Sequence, residues 1–240
     1  MRRNHHDWAS ETYVDEWVRR QQAEDPSRAE RFQLMCDLFP FSSDATVTIL
    51  DVGAGYGPVS MFILDRYPHA TCVTQDGSEP MLNRARHLLA RYGERVKLHR
   101  SDLFDLRWLP EELGPFDAVV SSSCLHNLRD FKRIREIYGE IRTHLKRGGA
   151  FLNADLINAP TGAMYEAYES VAAARRRREG AAADALAAMV GHGRRSAATG
   201  TRGPFPATLD EHLAALNAVG FRDVDCLWKE LSRAVYGGFA

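Results

Sequence analysis

The run Leu50-Asp51-Val52-Gly53-Ala54-Gly55-Tyr56-Gly57 places glycines at alternate positions directly after a β-branched apolar stretch. Glycines so spaced let backbone come close to a ligand and adopt dihedrals that other residues resist. At a strand-to-helix junction they point to a nucleotide-like cofactor. Two cofactor classes compete for such a loop. In the dinucleotide fingerprint G-x-G-x-x-G/A, counted from Gly53, the third small residue falls at Pro58, whereas the third glycine here is Gly57. Pro58 also removes an N–H group that a pyrophosphate needs at a helix start. An NAD-dependent oxidoreductase is therefore disfavoured.

Three acids accompany the glycines. Asp51 stands two places before Gly53. Asp76 ends a second apolar run, where a carboxylate can accept from both ribose hydroxyls, a role that NAD proteins share; the plainer reading is a turn residue before a helix capped by Ser78. Asp102, in Ser101-Asp102-Leu103, can accept from an adenine amino group while the next backbone N–H faces a ring nitrogen, or it is an exposed turn aspartate. His126, in Cys124-Leu125-His126-Asn127, is the candidate general base, with pocket lining or local hydrogen bonding as the other readings. Tyr13, Trp17 and Arg20 share a helix face that either closes over the cofactor or packs on the core. Tyr165 and Tyr168 are candidates to touch a substrate or to pack beneath an insert. His5-His6-Asp7 reads as a solvated terminus, and no metal site is expected.

The elements that must position these groups alternate from residue 45 to 157. Strands are predicted at Thr46–Val52, Ala70–Gln75, Arg95–Arg100, Phe116–Ser121 and Ala150–Ile157. Between them lie a helix opened by Pro58, a helix from Ser78 that carries apolar positions to Tyr92 and closes at Gly93, and a helix from Asp130 to Arg147 closed by Gly148. Strands separated by helices make right-handed βαβ units and a mostly parallel sheet covered on both faces. Then Leu209–Val219 reads as a helix, and Arg222–Lys229 and Arg233–Phe239 as strands whose short connection requires an antiparallel pair. Residues 1–44 are expected to form a helical lid with a break near Asp25-Pro26-Ser27, ahead of a core over 45–240. Residues 160–206 are expected to be an insert, helical to about Val190, that caps the ligand edge of the sheet. Seven arginines stand against two acids between 171 and 205, either attracting an acidic substrate or nucleic acid or forming a solvated face.

Composition agrees with one large domain and an insert. The chain has 240 residues, 45% hydrophobic and 26% charged, with a formal net charge of −1. It can bury roughly three quarters of its unfolded surface without disulfides or metal. No apolar run approaches the ~20 residues needed to cross a bilayer, and the start does not read as a secretory signal. Cys36, Cys72, Cys124 and Cys226 are scattered, as buried thiols in a reducing compartment would be. A cytoplasmic protein without a membrane partner is expected. The near-neutral balance makes nucleic acid an unlikely partner.

Taken together, LDVGAGYG, Gln75-Asp76-Gly77-Ser78-Glu79-Pro80-Met81-Leu82, Ser101-Asp102-Leu103, Phe116-Asp117-Ala118-Val119-Val120-Ser121, Leu145-Lys146-Arg147-Gly148-Gly149-Ala150-Phe151 and the closing hairpin resemble the class I S-adenosylmethionine-dependent methyltransferases. The resemblance implies a doubly wound, Rossmann-like α/β sheet of seven strands with the last antiparallel. It implies S-adenosyl-L-methionine as methyl donor and S-adenosyl-L-homocysteine as product; a small-molecule acceptor is expected because the core carries no RNA-binding appendage and the insert can form a cap, and the candidate base favours oxygen or nitrogen, with carbon open. It also implies roles: Asp51, Gly53, Ala54 and Gly55 at the methionine part, Asp76 at the ribose, Asp102 and Leu103 at the adenine edge. Gly77 and Met81 would pack on the adenine ring, with Ser121 at the methionine end and Tyr13 near its carboxylate. Many relatives carry two adjacent histidines where this chain has His126-Asn127. A cofactor-binding protein without methyl transfer, and an RNA methyltransferase using the arginine-rich insert, are the competing functions.

Overall fold

A computed structural model describes residues 6–24, 28–178 and 203–240. Its elements are α1 (Glu11–Glu24), α2 (Arg28–Asp37), β1 (Thr48–Val52), α3 (Pro58–Arg66), β2 (Thr71–Asp76), α4 (Glu79–Leu88), β3 (Val96–Arg100), β4 (Phe116–Ser122), α5 (Phe131–His144), β5 (Leu145–Leu156), α6 (Gly162–Arg178), α7 (Leu209–Ala218), β6 (Arg222–Glu230) and β7 (Arg233–Phe239). The strands form one sheet in the order β3-β2-β1-β4-β5-β7-β6. β1 to β5 are parallel, and β7 runs antiparallel between β5 and β6. This is the doubly wound sheet with an antiparallel closing strand that the alternation of elements predicts.

Successive strand residues face opposite sides, and both sides are covered. Leu50, Val52, Val119 and Phe151 pack with Ile134, Ile137, Tyr138 and Ile141 of α5 and Leu216 of α7. Ile49, Ala118, Val120 and Leu152 pack with Phe32 and Met35 of α2, Val59 and Ile63 of α3, and Leu89. Asp51 belongs by alternation to the second side, which explains its contact with α3.

Strand order reverses between β1 and β4, and open α/β sheets bind ligands in the crevice beyond the carboxyl ends of strands at such a point. The glycine loop leaves β1 there, and Ser123-Cys124 leaves β4 opposite it.

Two helix ends fall three residues or more short of those predicted. α5 stops at His144 instead of Arg147, because Leu145 pairs with Phe116 and extends β5 backwards, while Lys146 Nζ reaches Asp117 at 2.8 Å. α4 stops at Leu88, and a 3-10 segment (Ala90–Arg95) carries the chain to β3 through Gly93, whose φ of 55° and ψ of −129° are not helical. The predicted helix over residues 179–190, and the break at 25–27, lie outside the described residues. Among the described residues, no helix is long and apolar enough to cross a membrane.

Candidate functional site

The crevice at the β1/β4 switch is a cavity of about 610 Å³, within the usual range for small-molecule sites. Gly53, Ala54, Gly55, Asp76, Gly77, Met81, Asp102 and Leu103 all line it. These eight come from the end of β2, the loops after β1, β2 and β3, and the first turn of α4, so the sheet brings together residues scattered over the sequence.

The glycine loop is fixed from below. Gly53 N donates to Gln75 Oε1 at 2.9 Å, Ala54 N to the Gln75 carbonyl at 2.8 Å, and Gly55 N to Asp76 Oδ2 at 2.8 Å. Gln75 Nε2 in turn donates to the Ser101 carbonyl at 2.7 Å, tying the β2 end to the β3 end. Gly53 adopts φ +61°, and a Cβ there would lie 1.9 Å from Cys124 Sγ. Only glycine admits both that backbone conformation and that close approach.

Asp76 Oδ1 accepts from Ser78 N at 2.8 Å, so both its oxygens are oriented by backbone amides and each keeps capacity to accept again. Burial raises its pKa against those hydrogen bonds. Asp102 Oδ1 accepts from Phe104 N at 2.9 Å, while the Leu103 N–H meets no acceptor among the described residues. Arg133, on α5, holds this loop from behind by donating from Nε to the Leu103 carbonyl at 2.7 Å. Nothing in the sequence singled out Arg133, because its partner is a main-chain oxygen thirty positions away.

Asp51 does not line the cavity, as the implied cofactor role would require of a direct contact. It is fully buried and accepts at Oδ2 from Ser60 N at 3.1 Å and Ser60 Oγ at 2.7 Å, capping α3. Its Oδ1 has no partner, and burial pushes its pKa up to about 7. A carboxyl group therefore already occupies the first turn of α3, where a dinucleotide pyrophosphate would sit.

Four further expected residues lie off the cavity wall. Ser121 is completely buried with its hydroxyl donated to the Val52 carbonyl at 3.0 Å, and the two residues after it, Ser122 and Ser123, line the cavity instead. Tyr13 bonds through its hydroxyl to His6 and packs on Trp8. Tyr165 is buried against Gly203. Tyr168 accepts from Lys229 Nζ at 3.0 Å at the β6 edge. Trp8, Trp17 and Arg28 from the N-terminal segment line the cavity in their place. That segment docks on α4: Ser78 Oγ donates to the Trp8 carbonyl at 2.5 Å, and Arg84 meets Glu11 and Asp15 at 2.8 and 2.6 Å.

His126 sits on a short 3-10 turn (Leu125–Leu128) whose neighbours Cys124 and Asn127 line the cavity, while His126 itself does not. Its Nδ1 is 2.6 Å from Asp155 Oδ1, and its backbone N donates to Asp155 Oδ2 at 3.1 Å. Burial pushes the Asp155 pKa up, but the His126 charge and hydrogen bonds outweigh it and leave the net shift downward. The carboxylate is therefore the acceptor, and Nδ1 carries the proton. Asp155 was missed because it lies inside a strand, twenty-nine positions from its partner. Ser123 (φ 55°) and Arg129 (φ 52°) flank this turn in the left-handed region, a strain that concentrates at functional sites. Among the described residues, no group of three or more His, Cys, Asp or Glu is placed to hold a metal ion.

The chain matches the family described as "Methyltransferase domain" over residues 49–149. It is 37% identical over 103 residues to malonyl-[acyl-carrier protein] O-methyltransferase of Geobacter sulfurreducens, covering 43% of this chain and 36% of that protein. It is 28% identical over 150 residues to demethylmenaquinone methyltransferase of Thermus thermophilus, covering 57% and 66%. The chain thus spans between about a third and two thirds of these relatives' lengths. Among solved structures it resembles human N-acetylserotonin methyltransferase in complex with SAM, with TM-score 0.60, 16% identity, 97% of this chain and 57% of that chain covered. Residues 49–149, from β1 into β5, thus match a methyltransferase domain, and the seven-stranded sheet is similar to that of methyltransferases among the solved structures.

Proposed function

We propose that this protein transfers a methyl group from S-adenosyl-L-methionine to an oxygen or nitrogen of a small-molecule acceptor, releasing S-adenosyl-L-homocysteine. The observation that carries the chemistry is His126 paired with buried Asp155 on a turn beside the cavity. The cavity's size, the unpartnered Asp51 Oδ1 and the uncommitted Leu103 N–H fit a charged nucleoside of this kind. Asp76 accepts from the ribose hydroxyls, Asp102 and the Leu103 N–H take the adenine edge, and Gly77 and Met81 pack on the ring. Gly53 to Gly55 leave room for the methionine portion, and Asp51 presents its free oxygen toward the ammonium from beneath the loop.

When bound, the cofactor supplies an electrophilic sulfonium methyl. Holding an acceptor atom in line and about 3 Å from that methyl removes roughly 7–11 kcal/mol of the barrier through positioning alone. Asp155 fixes the His126 tautomer, so Nε2, which makes no hydrogen bond among the described residues, is the basic nitrogen. It takes the acceptor's proton, and Asp155 stabilises the imidazolium that results. Such a base contributes ~10²–10⁴-fold. α1 and the start of α2 act as the lid, with Trp8 and Trp17 excluding water. Helix α6 begins the cap on the acceptor side.

The direct test is a panel of phenols, carboxylic acids and amines incubated with the donor, reading S-adenosyl-L-homocysteine formation. Turnover with at least one class is expected, and His126→Gln should lower kcat about 10²–10⁴-fold with unchanged cofactor Kd. Tight cofactor binding with no donor consumed by any class would instead favour a binding protein on this fold.

A further inference from the structure

The chain enters α7 through Gly203-Pro204-Phe205-Pro206-Ala207. The two prolines carry no N–H, so Phe205 N is the one main-chain donor among residues 204–206. It donates to Asn158 Oδ1 at 2.9 Å, and Asn158 Nδ2 donates to the Phe205 carbonyl at 2.7 Å. Asn158 N also donates to the Ala207 carbonyl at 2.8 Å. One asparagine just past β5 therefore clasps both sides of Phe205, while Pro206 keeps that residue extended. Gly203 makes room for the clasp: at φ +135°, a Cβ there would lie 2.7 Å from Asn158 Oδ1.

The clasp sets the Phe205 ring against His126, with centroids 5.8 Å apart and planes at 89°, a favoured arrangement for aromatic pairs. Among the described residues, the imidazole makes one hydrogen bond, from Nδ1 to Asp155 Oδ1. Asp155 is fixed in turn, since its Oδ1 also accepts from Leu156 N at 2.8 Å. A single bond chooses the tautomer but leaves the ring free to swing about the bond's axis. A perpendicular ring packed against it removes that freedom. We infer that Phe205, clasped by Asn158, is a positioning residue that fixes the plane of the His126 imidazole and so the direction of Nε2. The inference rests on the reading of His126 as the base and deepens it. It makes the stretch entering α7 part of the support of that base.

Two readouts test this, one of them independent of any acceptor. In NMR spectra of the protein without ligands, the His126 Nδ1–H signal is identified by its loss in His126→Gln. It should be sharp in the wild type and in Phe205→Tyr, which keeps the ring. In Phe205→Leu and Asn158→Ala it should be lost to exchange with water, because the bond to Asp155 opens more often. With an acceptor found in the panel above, Phe205→Leu should lower kcat about 10- to 100-fold, as small misplacement of a reacting group does. The acceptor KM and the Kd for S-adenosyl-L-homocysteine should stay within about 2-fold, since neither ground-state complex uses the contact. In the His126→Gln background the same substitution should have no further effect on kcat. An equal fall in that background, or a raised KM with kcat unchanged, would make Phe205 a wall of the acceptor site and overturn the inference. A signal as sharp in Phe205→Leu as in the wild type would overturn it whatever the kcat. A wild type that turns over no acceptor would remove the methyl-transfer reading, and the NMR comparison would then decide the positioning by itself.

Discussion

Asp51 is the residue whose chemistry most sharply constrains the site, because it is wholly buried with one oxygen unpartnered and a pKa of about 7. An ordinary carboxyl titrates near ~3.9, so between these values the folded chain binds more protons than the unfolded one. The stabilisation linked to this group is complete below the unfolded value and lost as pH rises through about 7. Wild type compared with Asp51→Asn by denaturant unfolding between pH 4 and 8 should show that slope only in the wild type, on the order of a few kcal/mol in total. An ammonium brought against Oδ1 would stabilise the charged carboxylate. Cofactor binding near pH 7 should then release protons, read by calorimetry in buffers of different ionisation enthalpy. At Gly53, Gly53→Ala forces a Cβ to within 1.9 Å of Cys124 Sγ at φ +61°. It should cost about 1–3 kcal/mol or more, seen as a lowered Tm and lost cofactor binding. Asp155→Asn removes the group that fixes the His126 tautomer, so kcat should fall toward the level of His126→Gln while cofactor Kd holds.

Among the elements, α1 rests on α4 through Arg84, Glu11 and Asp15, with Val14, Tyr56 and Met81 forming a small apolar cluster between them. Those ion pairs are largely exposed and each contributes ~0.2–1 kcal/mol. Arg84→Ala should therefore leave Tm within about 2 °C while accelerating proteolysis in α1 and weakening cofactor affinity several-fold. Arg133→Gln acts on a different element. It frees the Leu103 carbonyl and should weaken binding at the adenine side with a larger loss of stability, because the arginine is buried. Legibility in the sequence follows the range of the interaction. Ser78 as the α4 cap, Pro58 at the start of α3 and the antiparallel β6–β7 pair depend on neighbours in sequence and could be read directly. The end of α5 could not, since Leu145 has helical spacing and is drawn into β5 only by Phe116 on another strand.

For the whole molecule, the sheet order puts the loops after β1, β2 and β3 at one edge of a single cavity, with the β4 exit opposite. Backbone-binding motifs at strand ends were legible because glycines and acids there serve few other purposes. Ser121 and Tyr13 were misplaced off the wall because the sequence does not reveal which of Ser121, Ser122 and Ser123 turns outward, nor that His6 engages the Tyr13 hydroxyl. Arg28 and Asp155 were missed because each acquires its meaning from groups far along the chain. The central claim is that this cavity holds a sulfonium nucleoside, with Asp76 on its ribose. Calorimetric titration of S-adenosyl-L-methionine, S-adenosyl-L-homocysteine and NADH into wild type and Asp76→Ala tests it most directly. One-to-one micromolar binding of the first two, lost in Asp76→Ala, is the predicted result; binding of NADH alone, or affinity unchanged by Asp76→Ala, would contradict it.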